Sequence, residues 1–203
     1  MTDAKFWNRV APRYAARPIA DEPAYATTLE RTASYLAADA SVLEAGAGTG
    51  TTARRLSPHV GRVLATDIAS ALLDVARSRI EADGITNITL QERGVDDLPE
   101  GPFDAAIAFN LLHLVPDPAA ALAAMAARVR PGGYVITKTT ALAGAWYFRP
   151  IIGVMRLFGK APRVRFFSVA ELDALHEAAG LTIVETGNYP AKPPARFIVA
   201  QKA

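Results

Sequence analysis

The sequence predicts a doubly wound α/β fold with one seven-stranded, mostly parallel sheet and helices on both faces. Three observations support this prediction. Strand-like and helix-like segments alternate through most of the chain, as in a parallel sheet with helical crossovers. A glycine-rich turn joins the first predicted strand to a helix. No helical segment separates the last two strands, so we expect the final strand to run antiparallel to its neighbour.

Seven segments have the composition of strands. The clearest is 103–109, which is almost continuously apolar and bounded by turn residues, as expected of a strand buried on both faces. The last two strands are expected to be joined by a proline-rich loop over 188–194. In chain order, the predicted strands are 41–45, 62–66, 87–91, 103–109, 134–138, 181–186 and 197–201.

Helices are predicted between the strands from apolar periodicity and from end signals. Asp117 precedes a proline at a first helical position, and Ser168 with Glu171 forms the pattern of a capping box. Gly84 and Gly180 follow helical segments as C-terminal stops. The predicted helices cover 21–38, 51–56, 70–83, 118–130 and 169–179.

Composition indicates one globular domain over 1–203. The chain has 203 residues, of which 51% are hydrophobic, and it has no cysteine, which excludes disulfides and thiolate metal sites. The longest run without Asp, Glu, Lys or Arg is 105–116, well short of the roughly 20 apolar residues of a spanning helix. We therefore expect no transmembrane segment and, without a secretory leader pattern, a cytoplasmic location.

A net charge of only +2 conceals an uneven distribution. The segment 81–104 has seven acidic residues against the lone Arg93, whereas no acidic residue occurs between Asp117 and Glu171. That second segment contains eight basic residues. They are Arg128, Arg130, Lys138, Arg149, Arg156, Lys160, Arg163 and Arg165. Such an asymmetry bears on charged ligands and not on the fold.

The glycine turn and the carboxylate after the next strand are the strongest functional signal. Gly46, Gly48 and Gly50 allow a sharp turn and a close approach of backbone to a ligand, because no Cβ intervenes. Asp67 follows the second strand, where a carboxylate can accept hydrogen bonds from two ribose hydroxyls. The alternative is a tight strand-to-helix turn followed by a solvated Asp. The order of strand, turn, helix, strand and Asp favours a nucleotide-containing ligand.

The glycine spacing argues against a dinucleotide. The dinucleotide fingerprint requires a third glycine where this chain has Thr51. Glu44, just before the turn, would repel a pyrophosphate and suits a cationic ligand better.

The segment 42–50, Val-Leu-Glu-Ala-Gly-Ala-Gly-Thr-Gly, resembles the first motif of class I S-adenosylmethionine-dependent methyltransferases. Four further segments, 64–69, 95–99, 103–114 and 128–133, resemble later motifs of the family in the correct order. The segment 6–14 is similar to the N-terminal lid of the ubiquinone and menaquinone biosynthesis methyltransferases, with a methyltransferase type 11 domain. The resemblance covers nearly the whole chain except about 141–165. It implies a Rossmann-like fold, an enzyme of class EC 2.1.1.- and the cofactor S-adenosyl-L-methionine, with S-adenosyl-L-homocysteine as product.

The resemblance also implies roles by position. Gly46 and Gly48 would lie against the methionine portion of the cofactor, Glu44 near its ammonium group and Asp67 on the ribose hydroxyls. The family often places an Asp where Gly94 stands, so either Asp96 accepts the adenine amino group or that contact is lost. The predicted cofactor-binding residues are Tyr14, Glu44, Ala45, Gly46, Gly48, Gly50, Asp67, Ile68, Val95, Asp96, Asn110 and Leu111.

Transfer of an activated methyl group is an in-line displacement, so a dedicated catalytic side chain is not required. Tyr14, His113 and Tyr147 are weak candidates for a general base, and His113 fits a packing role better because apolar residues surround it in the sequence. His176 is expected at the surface. No metal is expected, because the loops after the fourth and fifth strands lack acidic residues. Asn110 is followed by two leucines and not by the Pro-Pro-aromatic pattern of amino-group DNA methylases, so no nucleic acid partner is expected.

The resemblance divides the domain into an N-terminal helical lid (1–38), a cofactor-binding core (39–140), a substrate-cap insertion (141–165) and a C-terminal helix with a strand pair (166–203). The aromatic and basic insertion is interpreted as a cap over a small hydrophobic or aromatic acceptor, or as a patch that makes transient contact with a membrane surface. Ordinary core packing or a homodimer interface is the alternative, and a monomer is equally compatible. Two rival functions stay open: a sensor that binds S-adenosylmethionine without catalysis, and an NAD(P)-dependent oxidoreductase.

Overall fold

The computed structural model describes residues 3–203, apart from the side chain of Trp146. It contains one seven-stranded sheet with the order β3-β2-β1-β4-β5-β7-β6. Strands β1 to β5 are parallel, and β7 runs antiparallel to both β5 and β6. The strands are β1 (Ser41–Ala45), β2 (Arg62–Asp67), β3 (Ile88–Glu92), β4 (Phe103–Phe109), β5 (Val129–Thr140), β6 (Leu181–Ala191) and β7 (Pro194–Lys202). The predicted fold class is therefore confirmed.

The described residues form seven α-helices, and three of the predicted helix starts are confirmed by their caps. The Asp21 side chain accepts from the Ala24 amide, Asp117 accepts from the amides of Ala119 and Ala120, and Ser168 forms the capping box. The helices are α1 (Asp3–Ala15), α2 (Glu22–Ala33), α3 (Thr51–Leu56), α4 (Ser70–Ala82), α5 (Pro118–Arg128), α6 (Arg149–Leu157) and α7 (Val169–Ala178). Short 3-10 helices cover Ser57–His59 and Ala143–Phe148.

The predicted loop over 188–194 is wrong. β6 continues to Ala191 and β7 starts at Pro194, so only two residues connect them. Prolines in this hairpin are tolerated because β6 is the edge strand and Pro194 is the first residue of β7. β5 also begins earlier than expected, at Val129, since Phe103 of β4 pairs with it before a register shift. The helix predicted over 21–38 corresponds to α2, which ends earlier than predicted, at Ala33.

The core lies on both faces of the sheet, and it includes a histidine that we expected at the surface. His176 of α7 is fully buried against β5, where Nε2 lies 2.9 Å from Thr137 Oγ1 and Nδ1 lies 2.8 Å from the Leu172 carbonyl oxygen. Both ring nitrogens therefore have partners inside the core. The prediction failed because the sequence does not show which face of α7 meets the sheet.

The insertion 141–165 is largely exposed. Five apolar side chains of α6 and the following residue are at least 40% exposed, so core packing is wrong as an interpretation of them. They are Ile151, Val154, Met155, Leu157 and Phe158. Arg9 of α1 donates to the Gly159 carbonyl oxygen, which ties the end of the insertion to the N-terminal helix. No helix among the described residues is long and apolar enough to cross a bilayer.

Candidate functional site

The site lies at the carboxyl ends of β1 and β4, where the strand order reverses and where doubly wound sheets bind their ligands. β1 ends at Ala45, and the chain then turns with φ of +71° at Gly46 and +55° at Gly48. The Ala47 amide donates to the Thr66 carbonyl oxygen at 2.9 Å, which fixes the turn against β2. Neither glycine has a Cβ, so a ligand in the space above the sheet can approach the backbone of this turn closely.

Gly46, Gly48 and Gly50 have different neighbours. A Cβ on Gly46 would lie 2.7 Å from Leu111 Cδ1, and one on Gly48 would lie 3.8 Å from Tyr14 Cε1, so both glycines adjoin predicted site residues. A Cβ on Gly50 would instead lie 2.9 Å from the Cβ of Ala76. Gly50 thus allows the start of α3 to pack closely against α4.

Asp67, the last residue of β2, holds the glycine turn from the other side. Its Oδ2 accepts from the Gly48 amide at 2.8 Å, and its Oδ1 accepts from the Ala69 amide at 2.9 Å. The side chain is buried, and this burial raises the pKa of the carboxyl group although backbone hydrogen bonds from Ala69, Gly48 and Ile68 oppose the shift. A carboxylate has more acceptor positions than these bonds use, so Asp67 can still receive ligand hydroxyls.

Glu44 is a buried carboxyl group near the end of β1. Glu44 is 3% exposed, and its Oε2 has no hydrogen-bond partner in the part of the chain that the structure describes. Burial raises the pKa of Glu44 to about 8, opposed by hydrogen bonds from the Ala53 backbone and the Thr52 hydroxyl. A buried carboxyl oxygen without a hydrogen-bond partner would hold a ligand cation strongly.

Two cavities meet above these residues. The first cavity, of about 640 Å³, is mostly apolar. It is bounded by Tyr14, Gly46, Gly48, Asp67, Ile68, Gly94, Val95, Asp96, Asn110 and Leu111, among others. The second cavity, of about 420 Å³, is more polar. It is bounded by Tyr14, Arg17, Asp21, Tyr25, Glu44, Gly46, Gly48, Thr52, Arg79, Asn110 and Lys138, among others.

The junction of the two cavities is formed by Tyr14, Gly46, Gly48, Phe109 and Asn110, which line both. Asp67 therefore lies in one cavity and Glu44 in the other, with the glycine turn between them. Of the twelve predicted cofactor residues, Ala45 and Gly50 line neither cavity. Ala45 is fully buried in the core.

Asn110 occupies a strained position at this junction. Its φ is +57°, the one positive φ at a non-glycine residue among residues 3–203. Its amide donates to the Lys138 carbonyl oxygen at 2.7 Å, which binds the end of β4 to β5. Asn tolerates the left-handed region better than most residues, and such conformations concentrate at functional sites.

The first cavity shows how this chain accommodates glycine at position 94. A Cβ on Gly94 would lie 2.3 Å from Asp96 Oδ1 and 3.3 Å from the Ile68 side chain. The Asp96 carboxylate thus occupies the space that a side chain at 94 would enter. That Asp96 accepts the adenine amino group in place of a side chain at 94 stays a prediction.

The three weak candidates for a general base lie in different places. Tyr14 lines both cavities, and burial followed by the Asp67 charge raises the pKa of its hydroxyl. His113 lines neither cavity, its Nδ1 has no partner in the described part of the chain, and burial lowers its pKa to about 4. Tyr147 is exposed in the 3-10 helix of the insertion and also lines neither cavity.

Sequence reasoning missed part of the wall of the second cavity, including Tyr25 and Lys138. Tyr25 of α2 bonds through its hydroxyl to Thr52 Oγ1 at 2.8 Å, and Lys138 reaches the same region from β5. The signal for Lys138 was present, since a charged residue at the end of the mostly apolar run of a predicted inner strand requires a reason. No group of three or more His, Asp or Glu side chains suited to a metal ion occurs in the described residues.

Comparison with known proteins adds the family. A family model described as a methyltransferase domain matches residues 42–133. The ubiquinone biosynthesis O-methyltransferase of Acinetobacter baylyi is 33% identical over 125 residues, which cover 59% of this chain and 52% of the relative. The enzyme of the same name from Xylella fastidiosa is 32% identical over 162 residues, covering 76% and 65%. The chain therefore spans about half to two thirds of the length of these relatives.

The solved structures show the same fold. Magnesium protoporphyrin IX methyltransferase from Synechocystis PCC 6803, with bound SAH, aligns with a TM-score of 0.77 at 16% identity and covers 98% of both chains. The residues of the site fit the S-adenosyl-L-methionine of this family, because Asp67 and the unpartnered Glu44 oxygen lie on either side of a glycine turn. The matched region includes that turn, both carboxylates and the Asn110 loop, so residues 42–133 form a methyltransferase domain, similar in motifs and fold to the class I S-adenosylmethionine-dependent methyltransferases.

Proposed function

We propose that this protein transfers the methyl group of S-adenosyl-L-methionine to a small hydrophobic or aromatic acceptor. The observation that carries the proposal is the junction of the two cavities at the glycine turn. An adenosine would lie in the first cavity between Asp67, Ile68 and Asp96, and the amino-acid end would pass Gly46 toward Glu44. The acceptor would then reach the junction through the second cavity, beside Asn110.

The cofactor supplies a sulfonium whose methyl group is already activated. The chain's own residues therefore have to hold two molecules in line, with the nucleophile about 3 Å from the methyl carbon. Asp67 and Glu44 would fix the two ends of the cofactor, while the rigid Asn110 turn would shape the wall at the junction. Tyr14 would exclude water there, since it lines both cavities.

An oxygen acceptor is favoured within this proposal. The curated relatives are named ubiquinone biosynthesis O-methyltransferases, and Tyr14 and Phe109, which line both cavities at the junction, suit an aromatic ring there. A phenol loses a proton on methylation, and this proton can pass to water or to a nearby side chain. Tyr14 is the one candidate base at the junction, but burial raises the pKa of its hydroxyl, which therefore stays protonated, so water is the favoured acceptor of this proton.

We also propose that residues 1–38 act as a lid and that 141–165 form a contact surface beside it. α1 supplies Trp7 and Tyr14 to the first cavity, which supports the lid. Apart from Trp146, whose side chain is outside the described part, no residue of 141–165 lines either cavity. The exposed apolar side chains and basic residues of this segment would suit an acceptor in a membrane surface or a second copy of the chain. Arg9 and the Gly159 carbonyl connect these two segments.

The test of cofactor binding is a thermal-shift panel with S-adenosylhomocysteine, NAD and NADP. A ligand at about 100 times its dissociation constant adds roughly 2.7 kcal/mol, which raises the melting temperature by about 5 to 11 °C for a chain of this size. We expect this increase with S-adenosylhomocysteine alone. An increase with NAD and none with S-adenosylhomocysteine would support an oxidoreductase and refute the proposal.

The test of activity is a screen with radiolabelled methyl donor against quinols, phenols, amines and lipids. We expect label in a phenolic or quinol product. Binding of S-adenosylhomocysteine without transfer to any acceptor would instead support a sensor that binds the cofactor and does not use it.

A further inference from the structure

Lys138 is a buried lysine that none of the roles above requires. It is 6% exposed and lies near the end of β5, between Phe109 of β4 and Phe197 of β7. Its Nζ donates to Thr28 Oγ1 at 3.1 Å, which is its one side-chain hydrogen bond among residues 3–203. The same Nζ lies 5.4 Å from the centre of the Tyr25 ring.

The Tyr25 ring and Thr28 compensate the charge of Nζ only in part. An ammonium group has three N–H donors, and one of them is used. No carboxylate forms an ion pair with Lys138 in the described part of the chain. Burying a charge without a counterion is expensive, and burial accordingly lowers the pKa of Lys138, with the Asp21 charge as the opposing influence. Two N–H groups and one positive charge are therefore available to a ligand.

Lys138 lines the second cavity, whose charges favour an anion at this end. Arg17 and Arg79 are also on its wall, and the two acidic residues are Asp21 and Glu44. Asp21 already accepts from the Ala24 amide as the cap of α2. Glu44 is buried with a raised pKa, so without a cation beside it the carboxyl group holds its proton at neutral pH.

Glu44 and Lys138 are connected to different parts of Tyr25. Tyr25 bonds to Thr52, which contacts Glu44, whereas its ring faces the Lys138 ammonium. β4 separates their strands, so the two backbones are roughly 10 Å apart. The cavity thus has separate positions for a cationic and an anionic group.

We propose that Lys138 binds a carboxylate inside the second cavity. The two free N–H groups of the ammonium match the two oxygens of a carboxylate, and the charge-assisted pair would compensate the buried charge. The carboxylate belongs either to the amino-acid end of the cofactor or to the acceptor. This inference rests on the proposed function, because that function brings both molecules into this cavity.

The test compares the wild type with Lys138→Met, which keeps the length of the side chain and removes its charge. Lys202→Met is the matched control, since Lys202 is a lysine of β7 that donates to the Val129 carbonyl oxygen and lines neither cavity. Lys138→Gln is a second variant in case the first does not fold. Thermal melts of the proteins without ligand establish folding, and we expect Lys138→Met to melt no lower than the wild type because a buried charge is removed.

The first arm measures binding of S-adenosylhomocysteine and of its decarboxylated analogue, which keeps the amino group, by calorimetry. If the carboxylate is that of the cofactor, Lys138→Met weakens S-adenosylhomocysteine by about tenfold or more and leaves the analogue unchanged. The second arm measures binding of 4-hydroxybenzoate and 4-hydroxybenzyl alcohol to the protein saturated with S-adenosylhomocysteine, by saturation-transfer NMR. If the carboxylate is that of the acceptor, Lys138→Met abolishes binding of 4-hydroxybenzoate and leaves binding of 4-hydroxybenzyl alcohol unchanged.

A charge-dependent loss in either arm, absent in Lys202→Met, supports the proposal and identifies the source. The proposal is overturned if Lys138→Met matches the wild type in both arms. Failure of the wild type to bind S-adenosylhomocysteine at all is a different result, since it would refute the proposed function.

Discussion

Glu44 shows how a single side chain links folding to ligand binding. Its carboxyl group is taken out of water by β1 and α3, and the fold leaves Oε2 without a partner. Such a group is unfavourable when charged and becomes favourable when a cation arrives. The unpartnered Glu44 carboxyl group therefore destabilises the fold without ligand, and binding of a cation removes this cost. Locally unfavourable arrangements of this kind are common at functional positions.

Glu44→Gln tests this arrangement through the pH dependence of stability. The unfolded chain releases the Glu44 proton near its ordinary pKa of 4.5, whereas the folded chain retains it up to about pH 8. The stability of the wild type relative to the variant should therefore fall by about 1.4 kcal/mol per pH unit between these values. Urea unfolding at pH 5, 6, 7 and 8 measures the difference. Glu100→Gln, at an exposed position, is the control, and parallel curves for wild type and Glu44→Gln would contradict the prediction.

Asp67→Ala tests the ribose contact. We expect the affinity for S-adenosylhomocysteine to fall at least tenfold, about 1.4 kcal/mol, because charge-assisted hydrogen bonds are lost. Asp67 also accepts from the Gly48 and Ala69 amides, so stability falls as well. Asp104→Ala is the control, since Asp104 accepts from the Ser41 amide and Arg130 but lines neither cavity. Asp104→Ala should lose stability, while calorimetry shows unchanged affinity for S-adenosylhomocysteine. Unchanged affinity in Asp67→Ala as well would show that Asp67 does not bind the ribose.

At the scale of elements, the glycine turn serves the packing of helices as much as the ligand. Gly46 and Gly48 adjoin the cavities, but Gly50 has α4 as its neighbour through Ala76. The same three-glycine pattern thus combines a binding function and a packing function within one turn. Sequence reasoning assigned all three glycines to the cofactor because the pattern does not reveal which element crosses behind it.

Gly50→Ala should therefore destabilise the fold for two reasons. The new Cβ would require φ of +72° at a residue with a side chain, and it would lie 2.9 Å from the Ala76 Cβ. We expect a loss of about 2 to 4 kcal/mol in the free energy of unfolding. Gly84→Ala is matched to it, because Gly84 has φ of +66° and nothing within 4 Å of the new Cβ. It should cost only about 1 to 2 kcal/mol in denaturant titrations, and equal losses would mean that the contact with α4 is unimportant.

At the scale of the whole molecule, the exposed apolar surface of the insertion is separated from the two cavities. The insertion contains exposed apolar side chains next to basic residues, and it contacts the N-terminal helix through Arg9. A surface of this kind usually meets another molecule. Because none of its described side chains lines either cavity, the insertion should affect delivery of the acceptor and not binding of the cofactor.

The double variant Leu157→Ser with Phe158→Ser tests this separation. These side chains are 85% and 74% exposed, so their loss should leave the melting temperature nearly unchanged. Affinity for S-adenosylhomocysteine by calorimetry should stay within twofold of the wild type. A tenfold loss of affinity would show instead that the insertion closes over the cofactor.

The sequence by itself determined the order of the elements, the glycine turn, both carboxylates and the family. These features are local, since a strand period, a helix cap or a glycine turn can be recognised within a few neighbouring residues. It also determined most strand positions, including β4 from Phe103 to Phe109.

Only the tertiary structure decided which side chains meet across the sheet. It buried His176 against Thr137, placed the Asp96 carboxylate in the space beside Gly94, and extended the final hairpin to a two-residue connection. It also brought Lys138 of β5 to the α2 side of the second cavity, more than a hundred residues away in sequence from Thr28. Such contacts depend on which face of each element is covered, and that is fixed by packing between distant segments and not by any local pattern.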